Sequence, residues 1–222
     1  MADKYSLTLR NHSTNPSWVF AIYTNAPITD SSRLFAMAWQ TKTVNKGNTV
    51  TFSWELSYTL MFASQGFKDN VKWVETNQVA ANPNTWDQNS ALLDFQGGDY
   101  TFDLEPQVHP AEADKLFIDT TTTVPPYSAS NGPTVALAIT TGDGVPKPAI
   151  GGTSGPNLHH TFTLHPSYYI QAGDAEEGQM ADLNTLNNMQ EVTFVAGSHA
   201  ADWTLNEQNI WVPTNSMVLA GV

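Results

Sequence analysis

The histidines of this chain are the first candidates for a functional site, because imidazole titrates near neutral pH and is a common metal ligand. The chain has six histidines, and three form an HHxxxxH pattern at His159, His160 and His165. On an extended strand His159 and His160 point to opposite faces, and His159 lies about 20 Å from His165. Ligands of one metal ion must lie within a few ångström of it, so a site here needs a second strand or a sharp bend at Pro166. We therefore predict no metal site and no cofactor.

His160 and Glu55 are the candidates for acid–base catalysis. The parity of His160 places it beside Phe162 and Leu164, and an apolar setting with a nearby carboxylate is how enzymes tune a proton-transfer group. A histidine packed in the core with one satisfied hydrogen bond gives the same pattern. Glu55 is ordinary surface if its face is solvated, and a buried carboxylate if a second layer or a ligand covers it. The sequence leaves both alternatives open.

Aromatic side chains are more numerous than histidines in this chain and are the stronger candidates for a binding site. The chain has seven tryptophans, and core packing accounts for most of them. Small-molecule sites are concave and mostly apolar, with a few polar groups that orient the ligand. We predict such a site near Trp39, Trp54, Tyr58 and His160, with Tyr168 among the other aromatic residues able to line it.

Known catalytic signatures are absent from the sequence. The chain has no cysteine, which excludes disulfides, thiolate metal ligands and a cysteine nucleophile. It also contains no GxSxG, P-loop, GxGxxG or HExxH pattern, and its acidic clusters do not match a calcium-binding loop.

The charge balance is strongly acidic. Lys and Arg together number 9 against 21 Asp and Glu, for a formal net charge of −12. Nucleic-acid binding requires Lys and Arg to neutralise phosphates, so we predict no nucleic-acid partner and no anionic membrane surface. No stretch approaches the roughly 18 apolar residues of a membrane helix. The expected location is cytoplasmic, with non-classical export left open.

Alternating residues identify the longest strand. Residues 50–62 place Val50, Phe52, Trp54 and alternate residues beyond them on one parity, which is typical of a half-buried strand. Such a run would extend over roughly 40 Å, so we expect a bend or bulge within it. Residues 45–48 favour a turn, and residues 34–62 are therefore predicted to form one long hairpin.

Further strand signals and turns complete the expected fold. Residues 94–100 predict a second hairpin turn, and residues 158–170 a second long strand that Pro166 should break or bend. Residues 120–134 and 141–157 are rich in Thr, Pro, Ser and Gly and predict loops. We predict an all-β chain, a single-domain antiparallel β-sandwich with long loops over residues 1–222, and a closed β-barrel as the alternative.

Five segments resemble the RhiA-like proteins of bacteria. They are YSLTLRNHS, FAIYTNAP, LFAMAWQTKTV, VTFSWELSYTLMF and FTLHPSYYIQAG, in that order along the chain. The resemblance implies a β-rich soluble protein and transfers no catalytic residue. It places the family motif at His165, Pro166 and Tyr168, which adds His165 and Tyr168 to the predicted ligand-binding residues.

Two functions that involve a small molecule fit these observations, and a structural or subunit-interface protein with no small ligand is a third alternative. The first is a non-covalent binding protein that holds a small apolar or carbohydrate-like ligand in an aromatic-lined pocket. The second is a cofactor-independent isomerase, cyclase or lyase that acts on a hydrophobic metabolite by shape and acid–base catalysis, with His160 and Glu55 moving protons. The sequence decides neither whether the protein is an enzyme nor its oligomeric state.

Overall fold

The computed structural model describes residues 3–25, 34–65, 73–128, 132–164, 167–181, 183 and 186–214. Within these residues the chain is built from strands and contains no helix. No helix long and apolar enough to cross a membrane therefore occurs in this part. The strands are β1 Lys4–Asn11, β2 Ser17–Asn25, β3 Leu34–Met37, β4 Gln40–Asn45, β5 Thr49–Ala63, β6 Asn77–Ala81, β7 Ser90–Gln96, β8 Asp99–Leu104, β9 Lys115–Thr120, β10 Thr134–Thr141, β11 Pro146–Thr153, β12 His159–Thr163, β13 Ser167–Gly173, β14 Met180–Ala181, β15 Met189–Val192, β16 Ala200–Leu205 and β17 Trp211–Pro213.

These described strands form three sheets. The largest has the order β14-β3-β11-β10-β5-β1-β16-β17, with β6 also paired to β5. The second has the order β15-β13-β2-β4, and the third has the order β12-β9-β7-β8. Most pairs are antiparallel, while β1–β16 and β7–β9 are parallel. The all-β prediction is confirmed.

The long strand β5 is organised as its alternation predicts. Phe52 and Trp54 are almost fully buried, while Thr51 and Ser53 are exposed. The strand pairs with β1 along its first half and with β10 along most of its length. Against β10 the register shifts between Tyr58 and Glu55, so two residues of β5 bulge there. The expected bulge is confirmed, and a bulge of this kind bends a strand locally and increases its twist.

The predicted hairpin over residues 34–62 is wrong. Strand β4 pairs with β2 in the second sheet, whereas β5 and β3 lie in the nine-stranded sheet. The turn at residues 45–48 instead carries the chain between sheets, where Gly47 N–H donates to the Asn11 carbonyl at 2.7 Å. Val44 and Phe52 meet in the shared core from different sheets. Alternation identifies the face that a strand buries but does not select its neighbour.

The second long strand signal is divided between two sheets. Residues 159–163 form β12 in the third sheet, and residues 167–173 form β13 in the second sheet. The predicted break therefore separates two strands, while Pro166 itself lies outside the described residues.

The predicted loop over residues 141–157 is also wrong in its centre. Strand β11 occupies residues 146–153 and pairs with both β10 and β3. Its register against β10 shifts between Ile150 and Pro148. Proline cannot donate to a ladder, and a bulge is one of the few places where a sheet tolerates it. The composition of this segment is typical of a loop, but pairing with β10 and β3 stabilises it as a strand.

All three sheets contribute to one hydrophobic core. Leu7 and Trp54 enter it from the first sheet, Phe20 from the second and Phe162 from the third, each at most 1% exposed. Burial of this kind stabilises a fold by about 25 cal/mol per Å² of apolar surface. The choice between a sandwich and a closed barrel, and the assignment of residues 1–222 to one domain, stay predictions.

Candidate functional site

Trp54 is the centre of a cluster of aromatic rings. It lies opposite Tyr5 in the β1–β5 register, and the two rings stack with centroids 5.6 Å apart and planes 9° apart. Trp39 meets Trp54 edge-on at 5.5 Å and 85°. Tyr168 of β13 is tilted against Trp54 at 4.9 Å. Rings from two sheets therefore converge on one buried indole.

A buried hydrogen bond ties Tyr168 to this cluster. The Trp54 Nε1–H donates to the Tyr168 hydroxyl at 3.1 Å. Burial raises the pKa of Tyr168 well above its usual range, and the Trp54 hydrogen bond opposes this shift in part. The hydroxyl is therefore neutral at physiological pH and acts as a hydrogen-bonding group.

The structure brings four of the sequence-predicted binding residues together. Trp39, Trp54 and Tyr168 are in ring contact, and the hydroxyl of Tyr58 is close enough to interact electrostatically with that of Tyr168. Trp39 and Trp54 are at most 1% exposed, so they form the support beneath a surface. Of the four, Tyr168 lines an open cavity. Their role in binding stays a prediction.

That cavity is a cleft of about 420 Å³. We name it the aromatic cleft and define it by Tyr5, Ser167, Tyr168, Glu191, Phe194 and His199, which line it together with neighbours in residues 192–198. The volume lies within the range of about 300–1,000 Å³ that is typical of small-molecule sites.

The wall of the aromatic cleft is the segment at residues 193–199 after β15. This segment turns at Gly197, whose φ of +79° suits glycine, and Ser198 N–H donates to the Val195 carbonyl at 2.8 Å. The His199 carbonyl then accepts from Ser6 N–H at 2.8 Å, which fixes the segment to β1.

Three rings of the cleft pack around Tyr5. His199 stacks on it with centroids 4.6 Å apart and planes 25° apart, and Phe194 meets it edge-on at 5.3 Å and 83°. Tyr168 is tilted against Tyr5 at 6.0 Å and 41°, and it also meets Phe194 edge-on at 5.9 Å. Tyr5 thus joins the buried Trp54 to the exposed His199.

Sequence reasoning missed Tyr5, Glu191, Phe194 and His199 as site residues. The alternation of residues 5–10 predicts that Tyr5 is on a strand, but the cleft appears only after β1 is paired with β5. Phe194 and His199 lie in an irregular segment, where periodicity carries no signal.

The electrostatics of the aromatic cleft favour neutral or cationic molecules. Glu191 supplies a carboxylate, and the described lining residues include no Lys or Arg. Burial, and secondarily the nearby charge of Asp3, raises the pKa of Tyr5, so its hydroxyl is also neutral at pH 7. An anionic ligand would find no lysine or arginine among these residues.

The two predicted catalytic residues have different partners. His160 is 1% exposed on β12, and its Nε2 is hydrogen-bonded to Ser154 Oγ at 2.9 Å. Glu55 is on β5 at the surface, paired with Lys4 at 2.9 Å. These positions match the core histidine and the surface carboxylate of the simpler alternatives, and the catalytic role stays a prediction. His165 lies outside the described residues.

A separate cluster joins two histidines to an aspartate. Asp119 Oδ2 lies 2.5 Å from His109 Nε2, and Asp119 Oδ1 lies 2.6 Å from His159 Nδ1. We name these residues the His–Asp–His cluster; their ligand atoms all lie within 4.8 Å of one another. Its members come from a loop, β9 and β12, so linear spacing did not reveal it.

Comparisons with known proteins identify a family model and a relative that match most of the chain. A family model described as RhiA matches residues 2–216. The chain is 27% identical over 213 residues to Protein RhiA of Rhizobium leguminosarum bv. viciae, covering 94% of this chain and 85% of that protein. A comparison with solved structures found no significant match.

Proposed function

We propose that this chain, which belongs to the RhiA family, is a non-covalent binding protein that holds a small apolar or carbohydrate-like molecule in the aromatic cleft. The observation that carries the proposal is the convergence of Tyr5, Tyr168, Phe194 and His199 on one cleft of about 420 Å³. The family name by itself supplies no ligand.

Aromatic rings suit both ligand classes. A flat apolar molecule gains buried area against them, and a sugar presents C–H groups to an aromatic face while its hydroxyls remain available for hydrogen bonds. Glu191 and Ser167 supply polar groups at the same cleft, where a carboxylate accepts hydrogen bonds from ligand hydroxyls.

The buried layer beneath the cleft supports binding by limiting motion. Trp54 is held by the Tyr168 hydroxyl and by edge-on contact with Trp39. Side chains fixed in this way lose little conformational entropy when a ligand arrives, which favours affinity.

The negative charge of the chain further limits the class of ligand. The formal net charge of −12 and the carboxylate of Glu191 disfavour phosphorylated and other anionic molecules, including nucleic acids. We therefore expect a neutral or cationic small molecule as the partner of this chain.

The test is a thermal-shift and tryptophan-fluorescence screen against neutral glycans, lipids, and neutral and cationic metabolites. A ligand at 100 times its Kd should add about 2.7 kcal/mol to the free energy of unfolding and raise Tm by roughly 5–10 °C. His199→Ala should weaken binding at least tenfold, because it removes the exposed ring stacked on Tyr5.

His12→Ala is the matched control, since His12 is also exposed and lies outside the aromatic cleft. This variant should bind as tightly as the wild type. Absence of any saturable ligand across the panels, or equal loss of affinity in the His199 and His12 variants, would contradict the proposal.

A further inference from the structure

We propose that the His–Asp–His cluster, His109, Asp119 and His159, binds one divalent transition-metal ion. The cluster shares no residue with the aromatic cleft, so the proposal goes beyond the proposed binding function. It also departs from the sequence-based expectation of no metal site, which noted that a site at His159 would need a ligand from a second strand or a sharp bend but could not identify one.

The ligand atoms already converge. One imidazole nitrogen faces each oxygen of Asp119, at 2.5 Å for His109 Nε2 and 2.6 Å for His159 Nδ1. The two imidazole rings are 4.7 Å apart between centroids. Two imidazoles and one carboxylate are a donor set that binds Zn²⁺ and related divalent ions and leaves a coordination position for water.

Sheet register fixes two of the three ligands. His159 of β12 lies directly opposite Asp119 of β9 in the antiparallel pair, so both side chains project from the same face. The neighbouring His160 lies opposite Ile118 and projects to the other face, into the core. This register explains why only one histidine of the adjacent pair joins the cluster.

A buried side chain positions the third ligand. Asn89 is fully buried, and its Nδ2 donates to the backbone carbonyls of His109 and Pro110, each at 3.0 Å. The loop that carries His109 is therefore tied to the start of β7. A loop held in this way brings its ligand to the sheet before any ion binds.

The surroundings supply the contacts that usually orient metal ligands. Thr161 Oγ1 lies 3.2 Å from His159 Nε2, the ring nitrogen that does not face Asp119. Phe117 stacks against both imidazoles, at 4.3 Å for His109 and 5.5 Å for His159. A hydrogen bond to the distal nitrogen and a packed apolar floor hold an imidazole in the orientation that a metal requires.

Glu105 adds a second carboxylate near the cluster. Burial raises its pKa, the charge of Asp119 raises it further, and His109 opposes the shift. Its Oε2 is buried and has no hydrogen-bond partner among the described residues. A cation at the cluster would stabilise the negative charge of the Glu105 carboxylate and offset the cost of burying Oε2 without a hydrogen bond.

Metal entry requires a small rearrangement. Tetrahedral metal–nitrogen and metal–oxygen bonds of about 2.0–2.2 Å separate neighbouring ligand atoms by about 3.3–3.6 Å, so the two present contacts must lengthen by about 0.7–1.1 Å. The ring nitrogens of His109 and His159 that face Asp119 must be free of a proton to bind the ion, so a neutral imidazole then carries its single proton on the other ring nitrogen, which for His159 is Nε2, 3.2 Å from Thr161 Oγ1. The side chain of His159 is 43% exposed, so it has room to move.

That exposure also indicates the chemistry of the site. The side chains of His109 and Asp119 are 21% and 20% exposed, and His159 opens one side of the cluster to solvent. Three protein ligands with an open side are typical of sites where an ion keeps a water or binds an outside ligand, in contrast to closed four-ligand structural sites.

The experiment uses the full chain without a histidine tag, freed of metal with EDTA and exchanged into metal-free buffer. Titration with Zn²⁺ against a chromophoric chelator should give one equivalent bound, and Co²⁺ should give visible absorption from a site of low coordination number. Zn²⁺ should raise Tm, and EDTA should reverse the rise.

Variants assign the ligands. His159→Gln and Asp119→Asn should each weaken Zn²⁺ binding at least tenfold, with circular dichroism confirming that the metal-free variants are folded. His12→Gln is the matched control on an exposed histidine outside the cluster and outside the aromatic cleft, and it should bind Zn²⁺ as the wild type does.

Three results would overturn the proposal. One is wild-type protein that neither binds an equivalent of Zn²⁺ or Co²⁺ nor gains Tm from either ion. Another is binding that His159→Gln and Asp119→Asn leave unchanged. The third is an equal loss of Zn²⁺ binding in His12→Gln, which would show adventitious binding by surface histidines. If only the metal-free stability of the cluster variants changed, these residues would form a hydrogen-bonded network and no metal site.

Discussion

The hydrogen bond between Trp54 and Tyr168 supports the aromatic cleft from below, and Tyr168→Phe tests it directly. The change removes the hydroxyl that accepts the Trp54 Nε1–H at 3.1 Å and leaves the ring in place. Trp54 is 1% exposed and Tyr168 is 6% exposed, so water does not readily replace the lost acceptor.

The expected cost follows from that burial. A buried donor left without its partner destabilises the fold by about 1–3 kcal/mol. Part of this cost is offset, because the hydroxyl of Tyr168 no longer has to be removed from water on folding. We therefore expect Tyr168→Phe to lower the free energy of unfolding by about 1–2 kcal/mol at pH 7. With a urea m-value of about 2 kcal/mol/M, the unfolding midpoint should fall by roughly 0.5–1 M.

The measurement is urea unfolding followed by tryptophan fluorescence and circular dichroism, with an unchanged m-value showing that the denatured state is not altered. Tyr169→Phe is the matched control. Tyr169 is the next residue of β13, is only partly buried, and its hydroxyl has no hydrogen-bond partner within the described part of the chain. Its variant should lie within about 0.5 kcal/mol of the wild type. The reasoning is refuted if Tyr168→Phe is equally close to the wild type, or if Tyr169→Phe loses as much.

Two further predictions concern alkaline stability and a turn. Burial raises the pKa of both Tyr58 and Tyr23 to about 12. Between pH 10 and 12 these tyrosines therefore lose their protons in the unfolded state but keep them in the folded state. The free energy of unfolding should fall there by about 1.4 kcal/mol per pH unit for each tyrosine. Urea unfolding at pH 9–12 should show this decline, and Tyr58→Phe should reduce its slope by about one tyrosine's share; an unchanged slope contradicts the assignment. Gly98→Ala should cost about 1–2 kcal/mol in thermal or urea unfolding, because Gly98 has φ +98°, a conformation that side chains disfavour. Gly155→Ala, where a Cβ would meet its neighbours at 3.7 Å or more, should change stability by less than about 0.5 kcal/mol, and a smaller loss at Gly98 than at Gly155 would refute the backbone argument.

Local patterns predicted much of the fold because backbone geometry acts locally. The alternation around Trp54 predicted β5 and its buried face, and its length predicted the bulge that the β10 register shows. Gly97 and Gly98 have positive φ at the turn between β7 and β8, as the predicted hairpin there requires.

Strand partners were not predictable in the same way. Strands β4 and β5 look like a hairpin because a turn separates two alternating runs, yet β4 joins β2 in another sheet. Strand β11 begins with proline and contains another, and it forms because β10 and β3 flank it on both sides. Pairing depends on contacts between segments that are distant in sequence, and a single sequence does not display those contacts.

The candidate sites, like the fold, were predictable from the sequence only in part. The sequence by itself determined that the chain is an acidic, cysteine-free, all-β protein with aromatic residues on buried strand faces, since composition and periodicity are properties of residue type and order. Only the tertiary structure decided that Trp39 and Trp54 lie beneath the aromatic cleft while Tyr5 and His199 line it. It also decided that His159 meets His109 and Asp119, because three-dimensional packing brings β12 together with β9, whose Asp119 is 40 residues from His159 along the chain, and with a loop whose His109 is 50 residues away.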